Sequence, residues 1–114
     1  MTGRKDKIMK KMNYEQFIAT QTEIIEKASE VDVEVYYKNV QLASFFGKFW
    51  SAKKSDIGFG IEGFSIEMEN DDCITIPPES EIEVYEGDEM NGTDAEYIIL
   101  SDDLRIYIGI MAAW

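Results

Sequence analysis

The sequence predicts an α+β fold: one N-terminal helix packed on a bent antiparallel meander sheet of about six to eight short strands, curling toward a barrel. Three observations carry this. An apolar stripe with helical spacing begins at Tyr14, an alternating stretch begins at Val31, and the run Ile57 to Pro78 reads as strand throughout. Residues 1–12 are expected to form a flexible basic tail and residues 13–114 a single domain, large enough to bury about 65% of its unfolded surface.

The tail, MTGRKDKIMKKM, holds five of the eleven basic residues and shows no sustained periodicity. From Asn13 the pattern is helical. Asn13 suits an N-cap with Gln16 at N3, a capping-box arrangement worth about 1 kcal/mol, and Met12 is placed to staple onto Phe17. Tyr14, Phe17, Ile18, Gln21, Ile24, Ile25 and Ala28 follow i, i+3, i+4, i+7 spacing and define the buried face, with Gln21 expected at its edge. About sixteen residues of helix are marginal alone, so this face must pack on the sheet.

After Ser29 the period becomes two. Val31, Val33, Val35 and Tyr37 alternate with Asp32, Glu34, Tyr36 and Lys38, as in a half-buried antiparallel strand. A tight turn at Lys38-Asn39 returns the chain through Val40, Leu42, Ser44 and Phe46. SFFGKFWSAKKS follows, with Phe45, Phe46, Phe49 and Trp50 beside Lys48, Lys53 and Lys54. Aromatics at consecutive positions require burial on both faces or an exposed patch.

In the central run the apolar parity changes, from Ile57, Phe59 and Ile61 to Phe64, Ile66 and Met68. A strand cannot change its inward face without a turn or bulge, so a two-residue turn is expected at Glu62-Gly63, pairing Ile61 with Phe64. Asn70-Asp71-Asp72 is expected as a three-residue loop with Glu69 opposite Cys73 and Ile66 opposite Ile76. Pro77-Pro78 ends the strand by removing two donors. Beyond it, Ile82 and Val84 face inward with Glu81, Glu83 and Tyr85 outward. Residues 87–95, GDEMNGTDA, read as a polar loop. A last hairpin through a three-residue Ser101-Asp102-Asp103 loop places Ile98, Leu100, Leu104, Ile106, Ile108 and Ile110 inward.

Charge is the strongest bulk signal. The net charge is −12, and it is divided unevenly: residues 1–54 carry ten Lys/Arg against seven Asp/Glu, whereas residues 55–114 carry only Arg105 against sixteen acids. Such a half repels a phosphate backbone and attracts basic proteins, with association rates that fall as salt rises. Nucleic acid is therefore disfavoured as a partner, and the N-terminal tail has no aromatic to stack on bases.

Catalytic and metal chemistry find little support. There is no histidine, which removes the usual general base, the usual zinc ligand and every Ser-His or Cys-His pair. The single cysteine, Cys73, lies beside Asp71 and Asp72, which oppose thiolate formation. Asp88, Glu89, Asn91 and Asp94 lack the register of a calcium loop. Gly58, Gly60 and Gly63 do not sit between a strand and a helix, as a phosphate loop needs; Gly58 and Gly60 are expected on an outward strand face. No cofactor is expected. No apolar run approaches the ~20 residues of a membrane span, and the expected compartment is cytoplasmic.

These observations imply a non-catalytic module that binds a basic protein, comparable in charge and size to inhibitor, immunity and phage nucleic-acid-mimic proteins. The candidate contact residues are Phe49, Trp50, Glu81, Glu83, Tyr85, Asp88 and Glu89. Two other readings remain open: a small-molecule site between helix and sheet walled by Tyr14, Phe17, Phe46, Phe59 or Phe64, and a subunit that pairs through an exposed edge near Gly58 and Gly60, forming a homodimer.

Overall fold

The computed structural model describes residues 10–86 and 95–112. In chain order these form β1 (Lys10–Asn13), α1 (Tyr14–Glu26), β2 (Ala28–Tyr37), β3 (Val40–Gly58), β4 (Ile61–Met68), β5 (Cys73–Ile76), β6 (Glu81–Glu86), β7 (Ala95–Ser101) and β8 (Leu104–Ala112). The strands make one antiparallel sheet in the order β1-β6-β7-β8-β2-β3-β4-β5.

The connection from β5 to β6 limits the shape this sheet can take. The two strands lie six positions apart in the order, about 29 Å in a flat sheet at about 4.8 Å per strand. Five residue steps, from Ile76 to Glu81, span at most about 17 Å. The sheet must therefore curl. It does not close into the expected barrel: among the described residues β1 and β5 are each paired on one side only, and α1 packs across the concave side through Phe17.

The helix begins where the capping residues require. Asn13 Oδ1 accepts from the Gln16 amide at 2.8 Å and Gln16 Oε1 accepts from the Asn13 amide at 3.0 Å. Both arms of the capping box satisfy amides that have no partner within the helix. Tyr14, Phe17, Gln21 and Ile25 form the buried face. Ile24, expected on that face, is 40% exposed, because the stripe is narrower than the spacing suggested. The segment Lys10 to Met12, expected to belong to a tail, is strand: β1 pairs with β6 through Lys11 opposite Glu83 and Asn13 opposite Glu81.

Phe17 is the centre of the core. It is fully buried and meets two rings edge-on, Phe64 of β4 at 5.9 Å and Tyr97 of β7 at 5.2 Å between centroids. Those two distances hold the Phe64 and Tyr97 centroids within about 11 Å of each other, although their strands are four positions apart, about 19 Å if flat. Next to it, Tyr97 Oη donates to Gln21 Oε1 at 2.8 Å. Gln21 is thus a buried partner and not the edge residue that its polarity suggested.

The turns depart from expectation in register. The β2–β3 turn is Lys38-Asn39, with φ of 47° and 70°, the conformation whose twist suits a two-residue hairpin. A bulge at Val35/Tyr36 then inverts the parity of β3. Phe45 packs on the core, whereas Val40, Leu42 and Phe46 are 61%, 61% and 51% exposed. The chain does not turn at Glu62-Gly63. Strand β3 continues to Gly58, the turn is Phe59-Gly60, and Phe64 lies opposite Lys54. Phe59 and Ile61 do not face Phe64 and Ile66 across a turn; they stand at the exposed tip itself. Gly58 and Gly60 have φ of 122° and 74° at this tip, so the turn itself requires glycine.

The β4–β5 loop has the three-residue build, shifted by one: the Met68 amide donates to Asp72 O, and Asp71, at φ 72°, takes the left-handed position. Accordingly Cys73 faces Glu67, and Ile66 faces Ile74. The β7–β8 loop is the two-residue Asp102-Asp103, with Ser101 opposite Leu104. Losing one loop residue reverses the parity of β7. Tyr97 and Ile99 are buried, and Ile98 and Leu100, expected inward, lie on the other face.

Phe17→Ala is expected to destabilise by about 3–5 kcal/mol, a large part of a small domain's stability, in urea denaturation. Tyr97→Phe leaves Gln21 Oε1 buried without its donor and should cost about 1–3 kcal/mol. The double variant Tyr97→Phe/Gln21→Met should recover most of that loss in the same measurement.

Candidate functional site

The parity of β7 and β8 fixes which side chains share the sheet face turned away from α1. Strand register makes three rows across it: Glu83, Ile98, Tyr107, Glu34 and Ser44; Tyr85, Glu96, Gly109, Asp32 and Phe46; Glu81, Leu100, Arg105, Tyr36 and Gln41. All are half-buried or exposed. The face therefore carries the carboxylates of Asp32, Glu34, Glu81, Glu83 and Glu96, the phenols of Tyr36, Tyr85 and Tyr107, and the cation of Arg105.

The tyrosines and acids interlock. Tyr36 Oη donates to Glu34 at 3.3 Å, Tyr85 Oη donates to Glu83 at 3.2 Å, and the Tyr36 and Tyr107 rings meet edge-on at 5.5 Å. Each tyrosine two residues from a glutamate lies on the same side of its strand. Burial, then the neighbouring glutamates, raise both phenols: Glu34 acts on Tyr36 and Glu83 on Tyr85. Asp32 is raised from its ordinary value by desolvation and then by Glu34, while the Val33 backbone partly offsets this. The face is thus crowded with negative charge at the centre of the sheet.

The expected contact residues divide between places. Glu81, Glu83 and Tyr85 share the outer face of β6. Trp50 is the extra residue of a bulge in β3 and is 67% exposed. Three strands separate β6 from β3, so Trp50 is about 19 Å from those acids along the sheet. Phe49 is partly buried and packs against the core beside the buried Met68. Asp88 and Glu89 lie outside the described residues, as does most of the 87–95 loop. Of the cavity walls considered, Tyr14, Phe17 and Phe64 are core residues, whereas Phe46 and Phe59 face solvent, Phe59 completely.

Sequence reasoning missed Glu96, because the run Tyr97 to Leu100 is apolar at both parities and only the loop length decides between them; Arg105 and Tyr107 were outward by the expected parity of β8, but nothing in the sequence placed them beside β2. Asp32, Glu34 and Tyr36 were legible as outward residues of an alternating strand, but nothing in the sequence placed them beside β8.

Among the described residues no group of three or more Cys, Asp or Glu is arranged to hold a metal ion. Among them also, no helix is long and apolar enough to cross a membrane. No protein-family model, curated protein or solved structure matches this chain. Its outer face must be read from its own chemistry.

Asp32→Asn is expected to raise the melting temperature at neutral pH. The folded state holds the Asp32 carboxyl above its unfolded value, so its charge destabilises the fold above the folded pKa. The gain should fade on acidification and vanish below the unfolded value, where Asp32 is protonated in both states. Parallel thermal melts from pH 7 to about pH 3 check this.

Proposed function

We propose that this chain is a small non-catalytic binding module whose outer sheet face captures a basic protein, in the manner of inhibitor, immunity or nucleic-acid-mimic proteins. The supporting observation is the make-up of that face: Asp32, Glu34, Glu81, Glu83 and Glu96 interleaved with Tyr36, Tyr85 and Tyr107 on one continuous antiparallel surface. The carboxylates supply a field that draws in and orients a cationic partner. The tyrosines supply rigid, amphipathic contact area at low entropic cost, the residue type enriched in protein interfaces. Strands on a packed core hold these groups in fixed order, so little conformational freedom is lost on binding. A net charge of −12 strengthens long-range attraction and weakens with salt.

A labelled peptide of lysine and alanine, standing in for a basic partner, tests the reading by fluorescence anisotropy. Affinity should fall steeply as salt rises. Glu34→Lys/Glu83→Lys should weaken binding by about tenfold more than Glu15→Lys/Glu23→Lys on the helix, which changes net charge equally. Equal weakening by the two pairs would mean that bulk charge, and not this face, binds the peptide.

A further inference from the structure

Arg105 stands alone in the acidic half. It is the only Lys or Arg among residues 55–114, it is exposed, and it projects from the outer face between Leu100 and Tyr36. An arginine surrounded by acids ordinarily pairs with one of them. Two of the nearby carboxylates are engaged elsewhere: Glu34 accepts from Tyr36 Oη, and Asp103 faces Lys38 Nζ at 3.8 Å, while Asp102 stands exposed at the turn. Among the described residues no carboxylate lies within 4.0 Å of the guanidinium. Its contact is a long one, Nη1 to Tyr107 Oη at 3.5 Å.

The surroundings give this cation a place to receive a ligand. The side-by-side β2–β3 and β7–β8 turns are joined by the Lys38 amide donating to Asp103 O at 3.1 Å. Together with the outer face they border a half-open depression of about 600 Å³, lined by Glu34, Tyr36, Lys38, Asp103, Arg105 and Tyr107 among others. The edge-on Tyr36 and Tyr107 rings form one wall. A volume of this size admits one or two side chains of an extended segment. The guanidinium fork matches a carboxylate in two parallel hydrogen bonds, which an ammonium cannot do.

Resting on the acid-face reading above, we infer that Arg105 determines specificity: it receives a side-chain carboxylate that a partner segment presents among its basic residues. Partner lysines or arginines on either side of that carboxylate meet Glu34 and the outer acids. The acid face then supplies attraction, and Arg105 supplies register, because a segment of cations alone places a like charge on the guanidinium. Selectivity arises from that repulsion as much as from the new pair.

Two labelled peptides of equal length test this, one of lysine and alanine only and one with a single central glutamate, each titrated at low salt. The native protein should bind the glutamate peptide roughly fivefold more tightly, although its net charge is lower. Arg105→Gln should abolish that preference while binding the lysine-only peptide at least as well as the native protein does. Arg105→Lys should retain only part of the preference. Thermal melts should leave both variants close to the native midpoint, since Arg105 is exposed. Tighter native binding of the lysine-only peptide, or a glutamate preference that persists in Arg105→Gln, overturns the inference while leaving the acid-face reading standing. Failure of both peptides to bind the native protein overturns both.

Discussion

The ring of Phe17 sets the curvature on which the rest of the structure depends. It reaches from α1 into the concave side of the sheet and meets Phe64 and Tyr97 edge-on. Edge-to-face contact is a favourable arrangement for aromatic rings and adds to the burial of their apolar area. One side chain thereby joins strands that the sheet order sets four positions apart. The four-residue link after β5 demands the same curl from the opposite direction, so chain connectivity and core packing agree. A helix that plugs an open sheet also resolves a problem of edges, since β1 and β5 are four residues long each and end in a helix cap and in Pro77-Pro78. Short edge strands limit pairing with other chains.

Curvature in turn allocates the side chains. With α1 covering the concave side, the inward parity of β2, β6, β7 and β8 takes Val31, Val33, Ile82, Tyr97, Ile99, Ile106, Ile108 and Ile110. The opposite parity takes the acids and tyrosines. Because every row crosses five strands, the outer residues come from sequence positions as distant as Glu34 and Tyr107 yet lie directly opposite each other. Acidity spread along the sequence becomes a patch only through this register. Tyr36 and Tyr85 each hold a glutamate two residues away on the same strand, so the pattern of a tyrosine two places after a glutamate produces the same local pair on β2 and β6.

Much of the fold was legible in the sequence, and the failures share a cause. The capping box at Asn13 and Gln16, the alternation of Val31 to Val35, the turn at Lys38-Asn39 and the stop at Pro77-Pro78 each carry a local signature that tertiary structure did not override, whereas Tyr37, expected inward, is 45% exposed. Register did not have such a signature. The Phe59-Gly60 turn was obscured because a fully exposed phenylalanine occupies a left-handed position that usually holds Asn or Asp. The β7 parity was obscured because Tyr97-Ile98-Ile99-Leu100 is apolar throughout, and one residue more or less in the Asp102-Asp103 loop reverses its faces. The bulges in β3 are invisible to periodicity for the same reason. The candidate site depends on the same register: Glu96 joins the outer face through the reversed β7 parity, and Arg105 and Tyr107, outward in β8 as expected, take their neighbours from it.

Amide chemical-shift mapping tests most directly whether the outer face is the working surface. On titrating the labelled protein with the lysine and alanine peptide, shifts should concentrate at Asp32, Glu34, Glu83, Glu96 and Tyr107. The solvent side of α1 and the tip at Phe59 should stay unmoved. Shifts centred on the helix or on that tip, or scattered evenly over every exposed acid, would contradict it.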